Sequence, residues 1–467
     1  MNKKTKIVAT IGPASENGEV IEKLILAGVN LFRFNLKHND FDWHQNTIKK
    51  VREIARKLDY NIGTIADLQG PEVRIETFEG KEVEIKEDES LFIGPTTNSN
   101  KTITLNPKEV ISSLEVGDTA FIDDGDLELQ IIGSKNGVVE AKVEIDYIIK
   151  NRKSLNILKK TIDLPLLSER DLVALEMIPK IDPDYIALSF VRTKEDIETL
   201  RSKLKEIGAT SKIIAKIENS SAINNLEEII KVTDAVMVAR GDLGVEVAMG
   251  ELAFWQKRII DLSRKYNKPV IVATQMMQSM VHNYHPTRAE ATDVANAIFD
   301  GTDALMLSEE TATGDHPFKV IKEMNKIAEF CEKNGVAKSI ELKLDSTTEV
   351  LVRAAANIIK NSGQFPIKAI IVFTESGNTA RILSKYRFKI PIVAVTNNSD
   401  TVRSLALSYG VMPLIQEFPE NQFRMEDPIF KKLINFEFIE KDDNVLVIHG
   451  NNWMTAGQTS DISLIKV

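Results

Sequence analysis

Cysteine is almost missing from this chain: Cys331 is the sole one among 467 residues. One thiol cannot build an intrachain disulfide framework, and such poverty suits a protein kept in a reducing cytosol. A basic surplus is also missing, because the formal net charge is -9. That leaves no electrostatic footprint for nucleic acid. Long apolar runs are absent. The start is basic, with Lys3, Lys4 and Lys6, but it passes into one short strand and then Gly12-Pro13. Neither a signal peptide nor a membrane span is expected, and the reading is cytoplasmic. There is no low-complexity segment, Walker A motif, glycine-rich kinase loop or His-x-His pattern, so the common nucleotide-phosphate cradles are excluded. What remains is ordinary globular material, 43% hydrophobic and 27% charged, enough for two to three domains.

Against those absences, one stretch stands out. The apolar run Ala235-Val236-Met237-Val238 feeds into Ala239-Arg240-Gly241-Asp242-Leu243-Gly244. The run reads as a buried parallel strand and the charged segment as the loop at its carboxyl end, where α/β folds place ligands. One unit earlier, a strand over residues 213–217 carries Lys216 and Glu218 at its exit. Two carboxylates leaving adjacent strands suit Mg²⁺ or Mn²⁺, and the lysine between them suits an anionic substrate.

The same rhythm recurs along the chain. Strands are expected at 6–11, 30–34, 61–66, 185–189, 212–217, 235–238, 270–273 and 304–307. Helices lie between them, including 17–27 and 40–57 with Asp40 as N-cap. Eight βα units in series argue for a TIM (β/α)8 barrel, with a doubly wound sheet as the structural alternative. From 73 to 162 the period changes to short alternating strands at 82–86, 90–93, 119–123, 128–132 and 138–145. The turn signals Asp123-Asp124-Gly125 and Asn136-Gly137 separate them. Beyond about 336 a smaller α/β alternation follows. The expected architecture is a barrel at 1–71 and 163–336, an inserted small β-barrel lid domain at 72–162, and a C-terminal α/β domain at 337–467.

The strand exits gather a consistent chemistry. Arg33, Asn35 and Lys37 alternate, so they share a face. Asp67, Glu72 and Arg74 follow the third strand, and Thr274 and Gln275 the seventh. One lysine, several arginines and two metal-competent acids fit a phosphorylated, carboxylated small molecule held through a divalent cation. They also fit phosphoryl transfer, which depends on positioning and charge neutralisation.

At this point the chain resembles the pyruvate kinase family over essentially its full length. The matching blocks are residues 5–15, Arg33-Phe34-Asn35, Gly70-Pro71-Glu72-Val73-Arg74, Lys216-Ile217-Glu218-Asn219, residues 237–245, Ala273-Thr274-Gln275-Met276, Pro286-Thr287-Arg288-Ala289-Glu290 and Asp293-Val294-Ala295-Asn296. The resemblance implies transfer of the phosphoryl group of phosphoenolpyruvate to ADP, giving pyruvate and ATP in the last step of glycolysis. It implies that Glu218 and Asp242 hold Mg²⁺ or Mn²⁺, that Lys216 neutralises the moving phosphoryl and that Arg33 steadies it. Ala239, Arg240, Gly241 and Asp242 would meet the substrate, partly through backbone amides. Thr274 would stand near the methylene carbon and relay the proton, or simply pack a strand end. Asn35, His38, Arg74 and Arg170 would meet the nucleotide, and the β insert would be the lid. A homotetramer is implied by analogy.

Three departures mark this chain. The family serine that helps hold a monovalent K⁺ is Lys37 here, and an ammonium has donors but no acceptor for a cation. Lys37 is expected to take the K⁺ position among Asn35, Asp67, Leu68 and Glu72, making activity indifferent to K⁺. In the alternative, Lys37 points to solvent and K⁺ still binds. Residues 150–157 replace a glycine-rich stretch before the lid returns. In the C-terminal domain, Thr374, Ser376, Gly377, Asn378 and Thr379 open a helix, either as a site for a phosphorylated effector or as a bare cap, with Glu375 disfavouring a highly charged ligand. Two other readings stand beside the kinase: a catalytically impaired paralogue acting as an effector-binding subunit, and another Mg²⁺-dependent barrel enzyme acting on phosphoenolpyruvate or pyruvate.

Overall fold

In a computed structural model, the eight runs close into one parallel barrel: β1 Lys6–Thr10, β2 Leu31–Asn35, β3 Gly63–Asp67, β4 Tyr185–Leu188, β5 Lys212–Ile217, β6 Ala235–Ala239, β7 Val270–Ala273 and β8 Ala304–Leu307. The residues described are 3–97, 99, 101–160, 162, 164–335, 338, 346–417, 428–435, 438–450 and 459–467. The domain bounds read at 163 and 336–337 fall outside them. Each barrel strand pairs with its sequence neighbours, and β1 closes on β8. Their apolar sequences follow from burial on both faces, with the helices outside and side-chain layers inside. The helices begin where the sequence supplies caps. Asn17 accepts from the Glu19 amide and Asp40 from the Trp43 amide, while Ser168 and Thr287 each form a capping box.

Two strands sit later along the chain than the sequence pattern indicates. β2 ends on Asn35 and β3 on Asp67, and these two residues pair. Polar side chains thus belong to the ladder itself, because the strand ends are where a barrel meets its cleft.

Between β3 and β4 the insert forms a seven-stranded sheet and a two-stranded sheet around its own core. The Asn136-Gly137 turn adopts positive φ at both residues, as a tight hairpin requires. Four strands of the insert escape the sequence reading: Arg74–Glu76, Thr102–Asn106, Tyr147–Ile149 and Leu155–Ile157. Three of these have only three residues, too few to display a period.

The C-terminal domain holds a five-stranded sheet in the order Val411–Ile415, Ile392–Thr396, Ile367–Phe373, Asn444–Gly450, Thr459–Lys466, with only the last strand antiparallel. It seals the amino-terminal end of the barrel. Ala406 and Leu407 join the barrel's interior cluster, beside Val8, Leu31, Ile65 and Tyr185. The seal is polar at its rim, where Arg403 Nε meets Asp184 Oδ1 at 2.5 Å and the Tyr185 hydroxyl donates to the Ser404 carbonyl at 2.7 Å. Asp184 also accepts from the Thr64 amide and hydroxyl. Among the described residues, no helix is long and apolar enough to cross a membrane.

Candidate active site

A cleft of about 400 Å³ lies at the carboxyl ends of the strands, between barrel and insert. The barrel supplies Arg33, Asn35, Lys37, Asp67, Leu68, Lys216 and Asp242 to its lining, and the insert supplies Glu72, Arg74, Asp124, Asn156 and Lys160.

Lys216 is the centre of a charge cluster. Its ammonium meets Glu218 Oε1 at 2.8 Å and Asp67 Oδ1 at 3.4 Å, and donates to Ser189 Oγ at 2.7 Å. Burial alone would depress its pKa. Asp67, Glu218 and Asp242 outweigh that and hold it well above the ordinary lysine value. Asp67 is buried and would for that reason be raised, but Lys216 and Arg33 bring it below the usual carboxylate range. Arg33 donates from Nε to Asp67 Oδ2 at 2.6 Å and from an η nitrogen to Thr10 Oγ1 at 3.1 Å. Two cations therefore stand fixed at the cleft floor, held by buried carboxylates.

Glu218 and Asp242 fit a divalent cation. Glu218 Oε2 accepts from the Phe190 amide at 2.7 Å, and its buried Oε1 meets only the Lys216 ammonium. Burial, then the neighbouring Glu218 charge, push Asp242 up to about 7. Two carboxylates crowded this way invite a positive ion. Among the described residues, no group of three or more histidine, cysteine, aspartate or glutamate side chains converges. A cation here would complete its shell from substrate and water, the usual habit of Mg²⁺.

Several expected site residues are placed elsewhere. Arg240 turns its side chain away from the cleft. It is 8% exposed, grips Asp293 at 2.7 and 2.9 Å, and donates to the carbonyls of Thr274 at 2.7 Å and Ala273 at 3.3 Å. An arginine next to a bidentate carboxylate and two carbonyls is fully used, so only its backbone and that of Ala239 are left for a ligand. The Gly241 amide donates to Thr274 Oγ1 at 2.8 Å, and that hydroxyl donates to the Ala273 carbonyl at 2.7 Å. Thr274, in the left-handed region with φ 65°, thus ties strand β7 to the Asp242 helix, Arg240–Glu246. His38 is exposed, and its carbonyl rather than its ring is engaged, by His44. Arg170 clamps the carbonyls of Leu36 and Asn39 at 2.8 Å each. Neither His38 nor Arg170 is brought to the cleft lining.

Lys37 makes an ion pair with Glu72, at 2.7 and 2.9 Å to its two oxygens, and Arg74 holds the same carboxylate at 2.5 Å. Asp67, expected beside Lys37, is taken by Arg33 and Lys216 instead. In the C-terminal loop the hydroxyls of Thr374 and Thr379 turn inward, while Ser376 is exposed. Thr374 Oγ1 accepts from the Gly377 amide, Thr379 pairs with Thr459, and Arg381 holds the Ser376 carbonyl. The helix that follows, Asn378–Ser384, has seven residues.

Sequence reasoning passed over Ser189, Phe190, Asn156 and Glu246. Ser189 and Phe190 leave β4, and Phe190 has φ 54°, a strained conformation for an aromatic residue and no visible motif. Glu246 is 8% exposed and lines the cleft where the insert meets the barrel, accepting hydrogen bonds from Ser220 and Asn156. Its only advance signal is an acid within the apolar string Leu243-Gly244-Val245-Glu246-Val247.

Comparison with known proteins agrees with this geometry. The family model "Pyruvate kinase, barrel domain" matches residues 2–321, and "Pyruvate kinase, alpha/beta domain" matches 349–465. The chain is 36% identical over 468 residues to the pyruvate kinase of Thermotoga maritima, with all of both chains covered. It is 38% identical over 476 residues to that of Bacillus licheniformis, covering all of this chain and 80% of the relative. A crystal structure of a pyruvate kinase from Cryptosporidium parvum superposes with a TM-score of 0.89 at 30% identity, covering 100% of this chain and 96% of that one. Family models over both the barrel and the C-terminal domain, and relatives of 36–38% identity along the whole chain, show that the chain belongs to the pyruvate kinase family.

Proposed function

We propose that this protein transfers the phosphoryl group of phosphoenolpyruvate to ADP in a Mg²⁺- or Mn²⁺-dependent reaction that yields pyruvate and ATP. The observation that carries the reading is the Lys216 cluster, with Arg33 beside it and Glu218 and Asp242 on the adjoining strand exits. In the reaction the phosphorus–oxygen bond of the enol phosphate breaks, its electron pair stays on the enolate oxygen, and a β-phosphate oxygen of ADP bonds to phosphorus. The enolate then takes a proton at its methylene carbon. Lys216 and Arg33 are aimed where charge spreads over the moving phosphoryl, and their carboxylate partners hold them there without reorganisation. Glu218 and Asp242 would hold the divalent cation, which when bound would supply further neutralisation of phosphate and carboxylate charge. Arg74, with Asn35, borders the nucleotide side. The insert excludes water when it closes. The Thr274 hydroxyl, bonded to the Gly241 amide, positions the Asp242 helix, and a part in proton relay would require that bond to exchange.

The Lys37 ammonium is read as the built-in replacement for a monovalent cation. Its support is the Lys37–Glu72 pair on the cleft wall beside Asn35 and Leu68. A homotetramer belongs to the same reading; exposed Met249 and Phe254 support self-association.

The test is lactate-dehydrogenase-coupled turnover with phosphoenolpyruvate, ADP and Mg²⁺, in buffer free of K⁺, Na⁺ and NH₄⁺, then with K⁺ added. Turnover in both is the expected result. Turnover only with K⁺ would keep the kinase and discard the role of Lys37. A folded protein with no turnover in either would overturn the kinase reading.

A further inference from the structure

At the opposite end of the barrel from the cleft, the seam with the C-terminal domain contains a second cavity. It holds about 10 Å³, the room of a single water or oxygen atom. Its lining includes Arg264, Lys268 and Asp303 from the barrel and Arg387 and Ser408 from the C-terminal domain.

Four buried polar atoms around it lack a hydrogen-bond partner among the described residues: the donors Arg264 Nε and Arg387 Nε, the Ser408 hydroxyl, and one acceptor, Asn267 Oδ1, which the O–H of a protonated phosphate can meet. Arg264 is 3% exposed and Ser408 1%. Arg264 donates only to carbonyls, those of Lys338 at 2.7 Å and Lys385 at 3.1 Å. The one carboxylate in the lining, Asp303, is already used. It accepts from Arg387 at 3.0 Å, from the Tyr409 amide at 3.0 Å and from the Val270 amide at 3.0 Å. Positive charge is therefore in surplus in a chain whose net charge is -9. The surplus is felt. Burial, then Arg387, bring Arg264 down to about 10, and burial also depresses Lys268 and Arg381.

Unsatisfied buried donors cost free energy, and their convergence on one space names what is missing. A single water would fit, but it offers two acceptor sites and no charge. A phosphate oxygen accepts several donors and cancels the surplus, and arginine is the side chain best matched to it.

We propose that the seam between the barrel base and the C-terminal domain binds a phosphate-type anion, one oxygen of which enters the cavity between Arg264, Arg387 and Ser408. The site is separate from the loop at residues 374–379 and does not depend on the kinase reading. Because both domains contribute donors, a bound anion fastens them together.

Inorganic phosphate and glycerol 3-phosphate are titrated calorimetrically into the full chain, with chloride at matched ionic strength as control. The titrations use an Arg33→Gln background, so that the catalytic cleft does not take the anion. Binding of phosphate but not chloride is expected. Tighter binding of glycerol 3-phosphate would assign a phosphomonoester, and tighter binding of phosphate the free ion. Arg264→Gln should weaken binding roughly tenfold or more, the cost of one hydrogen bond to a charged group. Ser408→Asp, which brings its own carboxylate, should abolish binding and raise the melting temperature in phosphate-free buffer. Thr379→Ala should bind like the parent. Equal response to chloride, unchanged affinity in both seam variants, or a loss confined to Thr379→Ala would overturn the proposal. If Arg264→Gln fails to fold, Lys268→Gln and Ser408→Asp decide it by the same criteria. Turnover of the wild-type chain is measured independently, so failure of either reading is seen without the other.

Discussion

Replacing Arg240 separates a residue that holds the active site in place from one that touches substrate. Its guanidinium makes four hydrogen bonds to Asp293, Thr274 and Ala273. Arg240→Met removes all four and leaves the Asp293 side chain, 34% exposed, without its cation. Breaking a buried pair by removing one partner costs about 3–5 kcal/mol, and partial hydration of Asp293 places this case toward ~3. The same change frees the Thr274 carbonyl and loosens the Thr274–Gly241 bond that sets the Asp242 helix. A displacement of about 1 Å at a reacting centre costs roughly 10²-fold in rate. Chemical denaturation and coupled turnover on the same preparation give both quantities. Arg240→Met should lose stability and kcat together, with KM for phosphoenolpyruvate nearly unchanged. Arg240→Lys should recover part of each, and Asp293→Asn should fall between. A variant with wild-type stability and a large rise in KM would show that Arg240 binds substrate directly, and the positioning argument would fail.

The proton on Glu246 gives a pH test. Burial raises its pKa to about 7 from 4.5. A raised folded-state value means that its contribution to stability is complete below about 4.5 and is lost as pH climbs to 7, up to ~3 kcal/mol. Glu246→Gln should therefore be stabilising at pH 8 relative to wild type and near neutral at pH 5; denaturation midpoints with the same difference at both pH values would refute this. At the domain seal, Arg403→Met should cost about 3–5 kcal/mol by stranding buried Asp184, and adding Asp184→Asn should restore at least half of it. An additive double-mutant cycle in the melting data would count against the ion pair. Lys37 is 32% exposed and Glu72 17%, so Lys37→Ser should change stability by less than about 1 kcal/mol. It should, however, make turnover respond to K⁺, and turnover as indifferent to K⁺ as in wild type would rule out the internal-cation role.

The barrel was legible because its strands are four to six residues long and mostly apolar, with most of the charged residues near their ends, and eight of them leave little choice of closure. Lys216, Glu218 and Asp242 were legible because charged residues directly follow such runs. The insert was visible as a change of period, but its three-residue strands were not, since they are recruited by neighbours rather than by their own pattern. Arg240 shows a deeper limit. Its position at a strand exit marks it for the cleft, yet Asp293, one helix away in the fold and 53 positions away in sequence, decides where its side chain goes. Ser189 was missed for a related reason: its value lies in bridging Lys216 to the Leu68 carbonyl, a contact that only closure of the barrel creates.

The insertion between β3 and β4 also bears on how the chain folds. Those two strands must pair although the polypeptide leaves at Asp67 and returns at Tyr185. An unstructured loop of that length would carry a closure entropy that slows pairing. Here the two ends of the insert are zipped to each other: the Leu155 amide donates to the Val73 carbonyl, and the amides of Ile75 and Arg152 to the carbonyls of Lys153 and Ile75, at 2.9–3.0 Å. Once the insert has collapsed on its own core, the barrel sees a short connection in place of a long one. Substitutions in that core, such as Ile75→Ala or Leu155→Ala, should then slow refolding of the barrel, far from any residue they touch. A refolding rate indifferent to them in stopped-flow fluorescence would mean that the barrel closes before its lid exists.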